Sequence, residues 1–400
     1  MARPRNPRTA PNLADHRRAL GMTQEQVSER LGISVEMIRR HERGDSRPGE
    51  RFRRGYVRLY RATERDLGLT APGGGSAATQ DPPVLSMPVA VRAGDRLGPD
   101  DLPGLHRHMR QLVVLDNQFG GNELVRVAGR FLRSLTRQVG AGLFEPTIRT
   151  DLYAAIGELA EITGWLAFDA GRHDLVRRMN QESLYYSRLA GDTSVELLTV
   201  QNAGMHAGHL GRAYEALQLA ESALSGPYRL SPRLRALFLV RRSRALAQGG
   251  DRAALRTLDE AMSLYDDGVS ASDPQWVWWI DQRELWWHEA MCRSDLGDTS
   301  GALDAFARSA DAVSAGETRS RFTHWAYLAR AQVKARSWAD ARVTLDVLQP
   351  LALHVASDRT AAVIRAATAE LRELGATAPA DVVSQAIRLD TTVAEELGAG

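Results

Sequence analysis

A small turn residue recurs along the body of this chain at a nearly fixed interval. Each time, a small or aliphatic residue follows five positions later. The pairs are Gly171/Val176, Gly211/Ala216, Gly250/Leu255, Gly297/Ala302 and Arg336/Ala341, spaced by 40, 39, 47 and 39 residues. Between them apolar residues return at helical spacing, and strand-like alternation is almost absent. A period of this length is one supersecondary unit: a helix, a tight turn and an antiparallel partner helix. A lone helical hairpin cannot bury its apolar face, so the units must stack, which predicts an all-α solenoid. Residues 104–150 read as a preceding helical pair, and 359–397 as a cap.

The chain ahead of the array reads differently. Residues 1–65 hold 16 arginines against 8 carboxylates, from chain totals of 51 cations and 49 carboxylates. A basic head on an acidic body points to a nucleic-acid-binding module joined to something else. The stretch 70–101, rich in Gly, Pro, Ala and Asp, has no sustained helical period and reads as a linker. The expected organisation is a disordered basic arm (1–11, with Arg3, Arg5 and Arg8), a head (12–69), the linker (70–101) and the array (102–397).

Within the head, Thr23 is placed to N-cap a helix, with Gln26 as its capping-box partner. Val27 and Leu31 form the inner face of that helix, and Gly32 ends it. Ser34 caps a second helix, anchored inward by Ile38 and ended by Glu42-Arg43-Gly44. Two short helices joined by a tight glycine turn give helix-turn-helix geometry. Leu13, Leu20, Phe52, Tyr56 and Leu59 are expected to close a five-helix miniature core.

The T-Q-E…L-G-I-S…I-R-R-x-E-R-G run (23–44) resembles the phage-repressor, Xre-type helix-turn-helix family. The resemblance covers about 12–66. It implies that Gln24 meets a phosphate, and that Ser34, Val35, Glu36, Arg39 and Arg40 begin or face outward from the recognition helix. The chemistry fits those roles. Arg40 can bond guanine O6 and N7 together, and Glu36 can accept from cytosine N4. Val35 stands where a polar residue is often found, and can meet a thymine methyl. Arg43, Arg47, Arg51 and Arg53 are expected on phosphates, which position the protein without reading sequence. One head covers one half-site, so binding is expected as a homodimer on near-palindromic double-stranded DNA.

The body resembles tetratricopeptide repeats in its small-residue turn, the alanine of its second helix, and Phe306 and Trp286 in the fourth unit. The segments LDNQFGGNELVRVAGRFLRSL (115–135) and GWLAFDAGRHDL (164–175) extend the likeness to actinobacterial Xre–tetratricopeptide regulators. A repeat array joined to a repressor-type head suggests DNA binding that answers to an effector, a peptide, a small molecule or a protein. The resemblance implies a cytoplasmic transcription regulator but supplies no ligand. The groove-facing positions it implies are Glu158, Glu161, Trp165 and Asp169; Gln201, Met205 and His209; Val240 and Arg244; Glu284, Trp287 and Met291; and Arg330 and Lys334. Asn202 lies beside Gln201. The alternative is an interaction adaptor or antitoxin-like partner, with the head as a tether. Five of the eight tryptophans fall within residues 276–287. Trp279, Arg283, Trp286 and Ala290 fit one helical face, leaving Trp287 as the best ligand or dimer contact.

Catalytic patterns are missing. The GGG at 73–75 precedes no phosphate-binding lysine, and no HExxH is present. His206 and His209, at i and i+3, are only two ligands and are weak evidence for a metal. No cofactor is expected. The one cysteine, Cys292, excludes a disulfide framework and fits a reducing compartment. No apolar run approaches the ~18 residues of a membrane span, and the Arg- and Pro-rich start lacks the apolar stretch of a secretory signal.

Overall fold

The structure is a computed structural model. It describes residues 13–31, 35–43, 96–266, 268, 270, 272–314 and 317–398, with isolated positions at 56, 59, 60, 67 and 69. Within those spans the side chains of residues 19, 29, 36, 40, 275 and 278 are excepted. The arm, most of the linker, Gly32, Ser34, Gly44, Arg47, Arg51, Phe52 and Arg53 therefore lie outside the described residues, as do the Glu36 and Arg40 side chains. The chain divides into two compact units, 1–85 and 86–400.

The first unit holds α1 (Leu13–Ala19), α2 (Gln24–Leu31) and α3 (Val35–Arg43). The capping box at the start of α2 forms: the Gln26 N–H donates to Thr23 Oγ1 at 3.2 Å, and the Thr23 N–H donates to Gln26 Oε1 at 2.9 Å. Leu13, Val27 and Ile38 are fully buried with Tyr56, and Tyr60, Leu67 and Leu69 complete that core. Leu20 does not join it. It sits in the turn after α1, closed by the αL residue Gly21, and stays exposed.

Among its described residues the second unit has helices as its only regular elements, apart from one isolated bridge between Leu97 and Phe144. Its helices are α4 (Leu102–Phe119), α5 (Leu124–Gly140), α6 (Arg149–Asp169), α7 (His173–Ala190), α8 (Thr193–His209), α9 (Ala213–Leu224) and α10 (Pro232–Gln248). Then come α11 (Ala253–Asp266), α12 (Gln282–Asp295), α13 (Thr299–Asp311), α14 (Thr318–Ala335), α15 (Trp338–Ala352), α16 (Asp358–Glu373) and α17 (Ala380–Gly398). Within the stretch read as linker, Leu97 is buried, and its backbone pairs with residues 143 and 145.

The repeat alignment fixes the turns. Gly171, Gly211, Gly250 and Gly297 all have positive φ, and Arg336 (φ 57°) is the only such non-glycine among the described residues. Each ends the first helix of a hairpin with a left-handed residue, which glycine adopts without a Cβ penalty. At Gly297 the next residue, Asp298, caps α13 by accepting from the Gly301 N–H at 3.0 Å. Consecutive helices pack as antiparallel hairpins α6/α7, α8/α9, α10/α11, α12/α13, α14/α15 and α16/α17. The first helices of successive hairpins also meet, α6 on α8, α8 on α10, α10 on α12 and α14 on α16.

Apolar packing is concentrated at the two ends of the array. One cluster joins α4 to α7 through Leu132, Leu152, Ile156, Leu159 and Leu166. The other joins α14 to α17 through Phe322, Leu348, Ile364 and Leu389. Between them the hairpins are held by smaller sets, some on larger residues such as Leu237, Phe238 and Ile280, others on alanine, such as Ala207, Ala216 and Ala245. The segment 276–290 is not one helix. Gln275–Trp279 is a 3-10 turn, and Asp281 then caps α12 at the Glu284 N–H, 2.9 Å away. The expected face of Trp279, Arg283, Trp286 and Ala290 is broken there.

The array also returns on itself. The Ala356 N–H donates to the carbonyl of Phe119 at 2.9 Å. α14 packs on α4, and α16 meets α6. The Gly120-Gly121 turn permits this approach as well as breaking two helices. A Cβ on Gly120 would lie 2.4 Å from the Ala356 carbonyl oxygen, and one on Gly121 would lie 2.5 Å from that of Leu166.

Candidate functional site

In the head, the geometry converges on Glu42, near the end of α3. Arg17 grips its carboxylate with two bonds, Nε to Oε1 at 2.5 Å and Nη2 to Oε2 at 3.1 Å, and reaches the Met22 carbonyl at 3.0 Å. Gln24 Nε2 donates to Glu42 Oε2 at 2.8 Å, and Arg39 Nε donates to Gln24 Oε1 at 3.2 Å. Burial pushes the Glu42 carboxyl upward, but the hydrogen bonds from Arg17 and Gln24 outweigh that and leave it below its ordinary range. These charge-assisted bonds lock α1, α2 and α3 together, which a bidentate Arg–carboxylate pair does with defined geometry.

The Gln24 amide is thus occupied on both sides. It shares its carboxylate partner with Arg17 and holds an arginine of α3 in place. Inward, Ile38 and His41 are buried, with His41 Nδ1 3.2 Å from the Tyr56 hydroxyl. Outward, Arg39 and Arg43 are exposed and Val35 is half-buried. The helical register puts positions 36, 39, 40 and 43 on the side opposite Ile38.

In the array, the residues assigned to a groove fall into two groups. The first is a polar relay round the first helices of the hairpins. Asn202 donates to Glu161, and Gln201 donates to Asn202. Arg241 places Nε and Nη2 on Gln201 Oε1 at 3.1 and 2.8 Å, and its Nη1 lies 2.8 Å from His288 Nε2. His288 Nε2 in turn lies 3.2 Å from Glu284. Burial, then Glu158 nearby, pushes Glu161 up to about 8, so it carries a proton at neutral pH. Burial also pulls Arg241 down to about 10.

The second group is the seam where the array closes. Asp169 is 0% exposed. It accepts from the Gly121 N–H at 3.1 Å, Ser357 Oγ at 2.9 Å and Arg359 Nη2 at 3.2 Å. Arg319 Nε lies 3.2 Å from Asp116, which also accepts from Trp165 Nε1 at 3.0 Å. The Arg319 and Arg359 guanidiniums stand 5.3 and 5.6 Å from the Trp165 ring centroid. Trp165 and Asp169 therefore join the two ends of the array.

The other positions are dispersed. Met205 packs against the first apolar cluster, and Met291 against the small one around Ala290 and Phe306. Trp287 lies against Tyr327 and His324 of α14, at 5.4 and 5.8 Å between ring centroids. Arg244 pairs with Asp295, and Arg330 with Glu370 at 2.7 Å. His209 is exposed, beside Phe168 and His173.

Sequence reasoning missed Arg17, Asp116, Arg241, Arg319 and Arg359. Each is a charge that reads as solvated until its partner, at least 25 positions away, is known. No helix among the described residues is long and apolar enough to cross a membrane.

Residues 13–51 match the helix-turn-helix family. Those residues form an Xre-type helix-turn-helix domain, and the match supports a DNA-binding regulator. No curated protein and no solved structure matches the chain.

Proposed function

We propose that this protein is a sequence-specific transcription regulator that binds a near-palindromic operator as a homodimer, in the cytoplasm, and that its helical array receives an effector. The observation that carries the DNA-binding part is the Arg17–Glu42–Gln24–Arg39 network within the matched domain. It fixes α3 against α2, so the outward residues of α3 enter a major groove as a preformed unit. Glu36, Arg40 and Val35, after Ser34 at the helix start, read base edges. Arg39, Arg43, Arg47 and Arg51 meet phosphates. Gln24, with its amide engaged, contributes by holding Arg39 in place.

The effector role draws on the tetratricopeptide-like groove positions. Met205, His209, Trp287 and Met291 supply apolar and aromatic contact, as Met and Trp do at adaptable surfaces. Trp165, Asp169, Gln201, Asn202, Arg244, Glu284 and Arg330 form internal pairs that an effector competes with or rearranges. An effector acts only through different affinity for two arrangements of the array, and the polar pairs are where two arrangements differ most cheaply.

The test is genome-wide immunoprecipitation of the full chain with sequencing of the bound DNA. Sharp peaks sharing a near-palindrome support the proposal. Diffuse enrichment, with tight DNA-independent capture of a second protein, overturns it in favour of an adaptor.

A further inference from the structure

We propose, resting on the DNA-binding reading of the head, that the array carries a DNA contact of its own: the outer face of α5 grips phosphates without reading sequence. Arg126, Arg130, Arg133 and Arg137 follow i, i+4, i+7 and i+11 along α5, and all four are exposed. At about 100° per residue they fall within an arc of roughly 60°. Val125, Ala128, Leu132 and Leu135 occupy the opposite side, buried in the first apolar cluster. The core therefore holds α5 with its arginine row outward, and the face needs no rearrangement to be offered.

The row is not neutralised. Between Leu102 and Phe144 the only carboxylates are Asp116 and Glu123. Asp116 is buried against Arg319 and Trp165, and Glu123 stands at one end, just before the helix. Among the described residues, Arg130, Arg133 and Arg137 have no ion-pair partner, whereas Arg177, Arg212, Arg293 and Arg308 elsewhere in the array each hold one. Beyond residue 65 the chain has more carboxylates than cations, so a row of arginines without carboxylates runs against the charge of its own unit.

The character of the face selects its occupant. No large apolar side chain is exposed on α5, so a protein partner finds none of the anchors that carry interface affinity. The apolar side of α5 is in the core, so it cannot enter a bilayer as an interfacial helix does. A polyanion needs neither. From Arg126 to Arg137 the row spans about 17 Å, a length over which one DNA strand carries about five phosphates. Guanidiniums stay charged and can bond phosphate with two N–H groups at once.

The test is binding of the full chain to a long duplex of mixed sequence, by fluorescence anisotropy across a range of salt. Arg130→Gln/Arg133→Gln should weaken binding at least about tenfold at low salt, and lower the slope of log affinity against log salt by about two, near 0.9 per phosphate contact. Arg130→Lys/Arg133→Lys keeps the charge and should keep the slope. Arg252→Gln/Arg256→Gln removes the same charge from exposed positions at the start of α11 and should leave the slope unchanged. Far-ultraviolet circular dichroism checks that each variant keeps its helices. A slope unchanged in the α5 glutamine variant, while the parent chain binds, overturns the proposal and leaves the head's reading intact. An equal loss in the α11 variant overturns it too, because net charge then explains both. Binding to phosphatidylserine vesicles that the α5 glutamine variant loses, with DNA binding kept, reassigns the face to a membrane surface and also overturns it. A parent chain with no salt-dependent DNA binding overturns this contact and the DNA-binding reading together.

Discussion

Asp169, the last residue of α6, holds Arg359, near the start of α16, 190 residues further along the chain. With Asp116–Arg319 beside it, this pair joins the first helices of the array to its last hairpins. Buried charges out of water are costly unless paired. Asp169→Ala leaves Arg359 buried without its carboxylate and should destabilise the array by about 3–5 kcal/mol. Urea unfolding measures this. An unchanged midpoint would mean that the Asp169–Arg359 pair adds nothing to the closure.

The protonated Glu161 predicts a pH dependence. In the unfolded chain a glutamate titrates near ~4.3, whereas burial pushes Glu161 to about 8 in the folded array. Its raised carboxyl contributes most below the unfolded value. As pH rises toward about 8 the unfolded state gives up its proton first, and that contribution is lost. Glu161→Gln keeps an acceptor for Asn202 and cannot ionise. Between roughly pH 5.5 and 8 its Tm should fall less than that of the parent chain. Parallel curves contradict the assignment.

Arg336 is the non-glycine member of the turn series, at φ 57°. A left-handed residue with a Cβ costs about 1–2 kcal/mol, and glycine returns about 0.5–1 kcal/mol of that as unfolded-chain entropy. Arg336→Gly should therefore leave stability unchanged or raise Tm by a degree or two, roughly 1 kcal/mol at most. A clear fall in Tm would assign the arginine side chain a role of its own.

In the head, two classes of arginine should separate. On the proposed reading, Arg40→Ala removes a base contact and should relax specificity at one position, at a cost of about 1–3 kcal/mol. Arg43→Ala removes what the proposal assigns as a phosphate contact. It should weaken all sequences alike and lower the salt slope by about 1. Glu42→Ala frees both Arg17 and Gln24 and should weaken every site. Binding isotherms on cognate and scrambled duplexes at several salt concentrations distinguish the three.

Much of this molecule was legible because its signals are local. Four of the five turn residues are glycines, which mark left-handed positions through their own φ preference, while Arg336 takes that position without it. Thr23 and Gln26 cap α2 within four residues of chain. Leu20 misled because its apolar side chain sits in a turn, where the period no longer dictates burial. The tryptophan segment misled because Asp281, a capping residue, restarts the helix in its middle. The groove positions were assigned from helical register alone, which does not report whether a side chain is already paired. Whether Gln201 or Asp169 meets solvent depends on Arg241 and Arg359, and no periodicity reports a partner 40 or 190 residues away. The closure of the array was illegible for the same reason, although Gly120 and Gly121 were its visible trace.

The most direct test of the central claim is equilibrium binding of the purified full chain to its recovered genomic site and to a scrambled duplex, by fluorescence anisotropy across a range of salt. Specific readout by α3 predicts that the site is preferred by at least about a thousandfold, with affinity falling steeply as salt rises. Equal affinity for both duplexes would contradict it, and would reduce the head to a nonspecific cationic surface.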